Sequence, residues 1–262
     1  KLKRDGRYKA RFVACGYSQV FGEDYTQTFA PVSQLTTFRT FLALSIQLGL
    51  FISQFDVETA YLYAPLDEEI YIKIPEGMDD TDDDGGKICW KLKKGLYGLK
   101  QGGFLWYRLI SNWLLKQGFE QSPVDACIYS YSKNDITCLI NTYVDDFFVA
   151  CNNDVFKAKL LSDLRNDFTI TESKSFDDAL GIQIEHFSNG GIKLHMTRYI
   201  QDLLSKHHMS DCHPTTLPMD PGFEIHSDDA PTTPDAKREM EKLPYAQIVG
   251  ELLWLARCCR PD

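Results

Sequence analysis

The chain has 262 residues, of which 44% are apolar and 13% aromatic, so it can bury a large core and is not a disordered chain. No apolar run approaches the ~20 residues that cross a bilayer, and the first residues, KLKRDGRYKARF, lack a hydrophobic signal segment, so we expect an intracellular protein without a membrane partner. The net charge is −9, but residues 1–20 carry six Lys and Arg against one Asp, and residues 85–118 carry seven against no acid. Such blocks fit a groove for a polyanion, and solvated surface explains them as well.

The first predicted elements are a strand and a helix. Residues 8–14 alternate apolar side chains with Lys9 and Arg11, which is the period of a half-buried strand that points both cations to one side. Ser33 is placed to cap a helix with apolar residues at helical spacing, and Gly49 would end that helix.

FISQFDV then predicts a strand that ends near Asp56 and is followed by a turn. Helical spacing of apolar residues predicts a second helix over residues 104–116 and a third that carries residues 156–168. Trp106 and Trp113 could stack on nucleic acid, but we expect them to pack on the face of their helix.

Beyond Ser173 the predicted elements become short. ALGIQIEH and GGIKLHM predict short strands joined by SNGG, and RYIQDLLSKH predicts a small amphipathic helix. The segment from Pro214 to Pro234 is rich in Pro, Thr and Asp and predicts a linker, after which LPYAQIVGELLWLARCC is helical in pattern. The eight cysteines contain no C-x-x-C pair, which fits buried thiols in a reducing compartment and argues against a thiolate metal site.

Two adjacent carboxylates interrupt an apolar run in TYVDDFFVA, residues 142–150. The flanking runs predict a hairpin with Asp145 and Asp146 at its tip. An ionised Asp away from water costs several kcal/mol unless it is paired, hydrogen-bonded or bound to metal. With Asp56 as a third acid from a neighbouring strand, the pair would form a hard-oxygen site for Mg²⁺ suited to nucleotidyl transfer. A polar turn between two strands accounts for the spacing equally well.

Several longer motifs, taken together, resemble one known family. They are TYVDD, QFDVETAYLYAPLDEEIYIKIP, GLYGLKQ, YKARFVACGYSQ and DYTQTFAPVSQL. In this order they closely resemble the reverse transcriptase of Copia-type long-terminal-repeat retrotransposon polyproteins, over essentially the whole chain. The resemblance implies an α+β right-hand polymerase fold, with an antiparallel palm sheet packed on helices. It implies fingers and palm over 1–170, palm end and thumb over 171–215, and a linker and start of a connection segment over 216–262.

The same resemblance implies roles for individual residues. Asp56, Asp145 and Asp146 are implied to be the catalytic, metal-binding acids, with the Val57 carbonyl near a metal, which would be Mg²⁺ with Mn²⁺ as an alternative. A primer 3′-hydroxyl would attack the α-phosphate of a dNTP and release pyrophosphate. The implied dNTP-binding residues are Lys9, Arg11, Tyr61 and Gln101, and the implied template or primer residues are Gly102, Tyr143, Leu180 and Gly181.

Other interpretations of these residues remain open. Tyr61 is implied to exclude the ribose 2′-hydroxyl, but a core aromatic fits the pattern too. Lys9 and Arg11 could be solvated surface. Leu180 and Gly181 resemble a hairpin that grips the primer end, but Leu-Gly is common in turns.

The resemblance also implies partners and a setting, and the chain departs from the family pattern. The implied partners are an RNA template, a DNA or tRNA primer, dNTPs, and the integrase and ribonuclease H segments of a parent polyprotein, in a cytoplasmic virus-like particle or in the nucleus. Where the family carries an Arg after GLKQ, this chain has Phe104, and the first finger strands and ribonuclease H are expected to be missing. A catalytically silent remnant that at most binds nucleic acid is therefore the alternative function, and a metal-dependent phosphohydrolase is a third.

Overall fold

The structure is a computed structural model that describes residue 6 and residues 8–78, 81, 83–217 and 219–261. The chain divides into two compact units, Lys1–Phe176 and Asp177–Asp262, and each is described by itself. The predicted boundaries between fingers, palm and thumb stay predictions. The acidic segment DDTDDD, residues 79–84, lies partly outside the described residues.

The first unit alternates helices with strands, as the sequence predicts. Its elements are α1 (Leu35–Gln47), β1 (Phe51–Val57), β2 (Tyr71–Lys73), β3 (Cys89–Lys91), α2 (Gly102–Lys116), β4 (Glu120–Gln121), β5 (Ile128–Lys133), β6 (Ile136–Tyr143), β7 (Asp146–Cys151), α3 (Asp154–Asp167) and β8 (Ile170–Glu172). Six of these strands form one sheet in the order β4-β5-β6-β7-β1-β8, and every neighbouring pair is antiparallel. The predicted α+β class with an antiparallel sheet is confirmed.

The main core lies on one face of this sheet. Helix α2 contributes Trp106 and Ile110 to it, and helix α3 contributes Leu160 and Leu164. On the other face the buried ring of Phe148 lies 4.9 Å from that of Phe38 in α1. Because successive side chains of a strand point to opposite faces, the continuous apolar run of β7 fits a strand covered on both sides.

The start of α1 corrects a prediction, and its end confirms one. Ser33 is not the cap, because the helix begins at Leu35 and the preceding N–H of Gln34 donates to Asp125 Oδ2 over 3.2 Å. Ser33 instead accepts a hydrogen bond from Asn141 Nδ2 over 3.0 Å. Gly49 follows the helix with φ +65°, a left-handed conformation that glycine adopts without strain.

The strand predicted over residues 8–14 is wrong. Residues 9–15 belong to no strand, and Phe12 and Val13 are about half exposed. An alternating pattern forms a strand only where a sheet edge is available for pairing. Here the Ala14 N–H donates to the Tyr97 carbonyl oxygen over 2.7 Å, so the segment lies against a loop.

The second unit contains a three-stranded antiparallel sheet and three helices in its described residues. They are β9 (Asp178–Ala179), β10 (Ile182–His186), β11 (Ile192–His195), α4 (Thr197–Lys206), α5 (Pro234–Glu241) and α6 (Tyr245–Cys258). The predicted short strands, small helix and final helix are confirmed. In the described part of residues 207–233 only a short 3-10 turn, Ser227–Asp229, is regular, as expected of a linker. No helix among the described residues is long and apolar enough to cross a membrane.

Candidate active site

The two strands that carry the acidic residues are neighbours in the sheet. Strand β1 pairs with β7 so that Asp56 is the register partner of Asp146. Directly opposite side chains project from the same face of an antiparallel sheet, with Cβ atoms roughly 4.5–5.5 Å apart. The Val57 N–H donates to the Asp145 carbonyl oxygen over 2.9 Å, which ties the end of β1 to the turn before β7. The backbone thus brings three acids from two distant parts of the chain to one sheet end.

The turn that presents Asp145 is tight and strained. Tyr143 pairs with Asp146, which leaves Val144 and Asp145 as a two-residue turn. Val144 has φ +57°, where a β-branched residue is a genuine outlier, and such strain costs roughly 1–3 kcal/mol. The Trp106 indole N–H donates to the Val144 carbonyl oxygen over 2.8 Å and holds the turn in this conformation.

The surroundings of Asp146 show how the adjacent carboxylates are accommodated. Burial raises the pKa of Asp146, and the charges of Asp145 and Asp56 raise it further. The Gln54 side-chain amide donates to Asp146 Oδ1 over 3.3 Å and opposes that rise in pKa. The charges of Asp145 and Asp56 therefore oppose ionisation of Asp146, and the hydrogen bond from the neutral Gln54 amide offsets part of that effect.

The donor set suits a divalent cation, although it is not gathered into a metal site as it stands. In the part of the chain that the structure describes, no three His, Cys, Asp or Glu side chains lie close enough together to hold a metal ion. Carboxylate oxygens are the ligands that Mg²⁺ prefers. A cation among Asp56, Asp145 and Asp146 would offset the repulsion that raises the pKa of Asp146.

A cavity of about 560 Å³ opens beside the carboxylates. Asp56 and Asp145 lie on its wall together with Lys9 and Arg11, so anionic and cationic side chains face one space. A larger cavity of about 700 Å³ is lined by residues such as Phe12 and by none of the three acids. The smaller cavity has the chemistry expected of a site for a metal-bound polyphosphate.

Two tyrosines connect Arg11 to Asp145. The Arg11 guanidinium carbon lies 5.0 Å from the centre of the Tyr97 ring, and Tyr97 meets the Tyr61 ring edge to face at 5.2 Å. Burial raises the pKa of Tyr61, the Asp145 and Tyr97 charges add to the rise, and Arg11 opposes it. Tyr61 is therefore a half-buried ring between the catalytic turn and a cation.

Two of the predicted contact residues lie beneath the surface. Gln101 is 2% exposed, and its amide nitrogen donates to the Asp24 carbonyl oxygen over 2.8 Å. Its Oε1 accepts from the Gln19 amide over 3.0 Å. Gly102 is also buried, and a Cβ there would lie 4.0 Å from the Tyr61 ring. The structure does not bring Gln101 to the cavity, and Gly102 lies behind Tyr61.

The remaining predicted contacts lie at turns. Tyr143 is the last residue of β6 and is partly buried. Leu180 and Gly181 form the two-residue turn between β9 and β10, both with positive φ, so the predicted hairpin is present in the second unit.

Sequence reasoning missed two residues of the site. Gln54 could have been found, because it stands two positions before Asp56 in one strand and so projects from the same face. The contact of Trp106 with the turn carbonyl left no signal in the sequence.

Comparison with known families shows the class of protein to which this fold belongs. The family described as reverse transcriptase (RNA-dependent DNA polymerase) matches residues 1–221, and the chain belongs to this family. The resemblance to Copia-type polyproteins is confirmed.

Three relatives show how far the similarity extends. Over its whole length the chain is 35% identical to the "Retrovirus-related Pol polyprotein from transposon TNT 1-94" of Nicotiana tabacum. It is 34% identical, also over its whole length, to the "Retrovirus-related Pol polyprotein from transposon RE1" of Arabidopsis thaliana. Over 92% of its length it is 31% identical to the "Transposon Ty1-H Gag-Pol polyprotein" of Saccharomyces cerevisiae. It spans 20%, 17% and 14% of these relatives. The family implies dependence on a divalent metal in general and nucleic-acid substrates.

Proposed function

We propose that this chain is an RNA-directed DNA polymerase that adds dNTPs to a primer 3′-hydroxyl on an RNA template. The observation that carries the proposal is the register of Asp56 with Asp146, which sets three acids beside a cavity lined by Lys9 and Arg11. Family membership supports the same reaction.

The proposed catalytic acids are Asp56, Asp145 and Asp146, and with the Val57 carbonyl they would hold Mg²⁺, or Mn²⁺ as an alternative. When bound, such ions activate a hydroxyl nucleophile and stabilise the leaving oxygen in phosphoryl transfer. Two constraints fix the geometry of the acids: the ladder between β1 and β7, and the hydrogen bond from Trp106 to the turn. These constraints place the backbone of the acids before substrate arrives, so that their side chains alone need to close around a metal ion.

Lys9 and Arg11, which form the cationic wall of the cavity, are proposed to bind the triphosphate. Lys9 and Arg11 line the cavity with Asp56 and Asp145, so a nucleotide there would have its phosphates between cations and metal-binding acids. Tyr61, held between Tyr97 and the turn, is proposed to lie under the sugar and to reject a 2′-hydroxyl by its bulk.

Template and primer contacts are proposed on weaker grounds. Tyr143 adjoins the turn with Asp145, and Leu180 and Gly181 form a hairpin turn in which Gly181 is exposed. We propose an RNA template, a DNA or tRNA primer, and a parent polyprotein that supplies integrase and ribonuclease H segments. Gln101 is proposed to bind the dNTP and Gly102 the template or primer, both from buried positions at the start of α2.

The experiment is extension of a DNA primer on an RNA template with dNTPs and Mg²⁺. We expect wild-type chain and Asp83→Asn, which removes an exposed loop charge, to extend the primer, and Asp145→Asn not to. Extension by wild type no greater than by Asp145→Asn would overturn the proposal and leave a silent remnant. Release of phosphate from dNTPs without primer would indicate a phosphohydrolase.

A further inference from the structure

The backbones of two sequence motifs, around Gly16 and Gly98, are in direct contact beside the proposed active site. A Cβ on Gly16 would lie 1.9 Å from the Gly98 carbonyl oxygen, and a Cβ on Gly98 would lie 2.2 Å from the Ala14 carbonyl oxygen. Contacts under 3.0 Å are sterically forbidden for real Cβ atoms. Only glycine fits at either position, so the segment around residue 16 lies directly on the loop around residue 98.

A chain of side-chain hydrogen bonds extends this contact. The Gln19 amide nitrogen donates to Gln101 Oε1 over 3.0 Å. Gln19 Oε1 accepts from the Lys100 backbone N–H over 2.7 Å. Gln101 in turn donates to the Asp24 carbonyl oxygen over 2.8 Å. Gln19 thus uses both atoms of its amide to join residues 15–24 to the start of α2.

These contacts of residues 14–19 with residues 98–101, here called the clamp, hold the segment that carries Lys9 and Arg11. Lys9 and Arg11 lie in residues 9–15, which belong to no strand. The segment is anchored by the Ala14 N–H, which donates to the Tyr97 carbonyl oxygen, and by the Arg11 guanidinium, which lies over the Tyr97 ring. Without strand pairing, the position of Arg11 depends on these contacts with Tyr97, in the loop around residue 98.

We propose that Gln19 is a positioning residue: through Gln101 and Lys100 it holds the segment with Lys9 and Arg11 at the wall of the cavity. This inference rests on the proposed function, because it assigns the cations to the triphosphate. It also gives buried Gln101 a further role: its amide links Gln19 to Asp24.

The test compares Gln19→Leu with Gln47→Leu, the same substitution at the exposed last residue of α1. Loss of the clamp should speed hydrogen exchange of the Ala14 amide, five residues away. It should also raise KM for dNTP about tenfold with kcat nearly unchanged, because triphosphate contacts bind ground state and transition state alike. Gln47→Leu should change neither quantity. A merely structural role for Gln19 would lower the melting temperature without this split between KM and kcat.

The two readouts separate this inference from the proposed function. Unchanged exchange at Ala14 in Gln19→Leu would overturn the clamp, whether or not the chain polymerises. Faster exchange with unchanged KM, in an assay where wild type extends the primer, would overturn the positioning role and leave the proposed function standing.

Discussion

Asp56 and Asp146 lie directly opposite each other on neighbouring antiparallel strands. Like charges in this position destabilise a sheet. Burial is the main cause of the raised pKa of Asp146, and the charges of Asp145 and Asp56 add to it. Two like charges that oppose folding are expected at a metal site, because carboxylates gathered as ligands for a cation repel one another when no cation is bound.

The first prediction concerns the stability cost of Asp146. Its pKa is raised in the folded chain, so the folded state binds this proton more tightly, and stability falls as pH rises from the ordinary Asp value through the raised one. Asp146→Asn should therefore raise the melting temperature at pH 7, by roughly 2–4 °C for each kcal/mol recovered. The gain should vanish in acid below the ordinary Asp pKa, where the carboxyl is neutral in both states.

Thermal melts between pH 3 and pH 8 check this, with Asp83→Asn as the control for loss of an exposed charge. Asn at position 146 can still accept from Gln54, so the comparison isolates the charge. An equal gain in both variants, or a gain that persists in acid, would refute the assignment of the cost to Asp146.

A second prediction concerns the divalent cation. Mg²⁺ at about ten times its Kd should stabilise the wild-type chain by about 1.4 kcal/mol, because it binds the folded state alone. Asp56→Asn should lose this stabilisation, and Asp83→Asn should keep it. Melting curves with MgCl₂, and with NaCl at equal ionic strength, provide the measurement. Equal Mg²⁺ stabilisation of wild type and Asp56→Asn would place the cation elsewhere.

A third prediction uses two tryptophans of α2. Trp106→Phe leaves the Val144 carbonyl oxygen without its indole donor, which should cost about 1–3 kcal/mol and lower kcat about tenfold or more through the displaced turn. Trp113→Phe removes an indole bond to the exposed Asp167 carboxylate, so it should lower stability slightly and leave kcat unchanged. Similar kcat values for the two variants would show that the turn does not depend on Trp106.

A fourth prediction concerns sugar selectivity. Tyr61→Val should lower the preference for dNTP over rNTP about tenfold or more, because removing a steric wall admits the 2′-hydroxyl. Tyr63→Val is the matched control, since that ring packs on Phe168 and its hydroxyl accepts from the Thr169 N–H. Single-nucleotide kinetics with dNTP and rNTP give the ratio. An unchanged preference in Tyr61→Val would make Tyr61 a core aromatic.

Local pattern was enough to predict the hairpin and the strand that ends near Asp56. Alternating or continuous apolar runs report burial within a few residues, and the acidic pair at the tip stood out because burying it is costly. That β1 pairs with β7 is a long-range choice of neighbour, which no local period encodes. Only the chemical need for a third acid pointed to Asp56.

The errors share one cause, which is that partners distant in sequence decided the outcome. Residues 8–14 have a strand's period, but residues 9–14 pair with no strand among the described residues. Ser33 has a side chain that can cap a helix, but the Gln34 N–H at the start of α1 donates to Asp125 instead. The propensities were present in each case, and tertiary contacts overrode them.

The central claim is that Asp56 and Asp145 act as one unit in adding a nucleotide. The most direct measurement is the rate of single-nucleotide incorporation on a primed RNA template by Asp56→Asn, Asp145→Asn and the double variant. Residues that act together are grossly non-additive, so each single variant should lose about a thousandfold or more and the double should be no slower. Near-normal incorporation by Asp56→Asn, or losses that multiply in the double variant, would contradict the account.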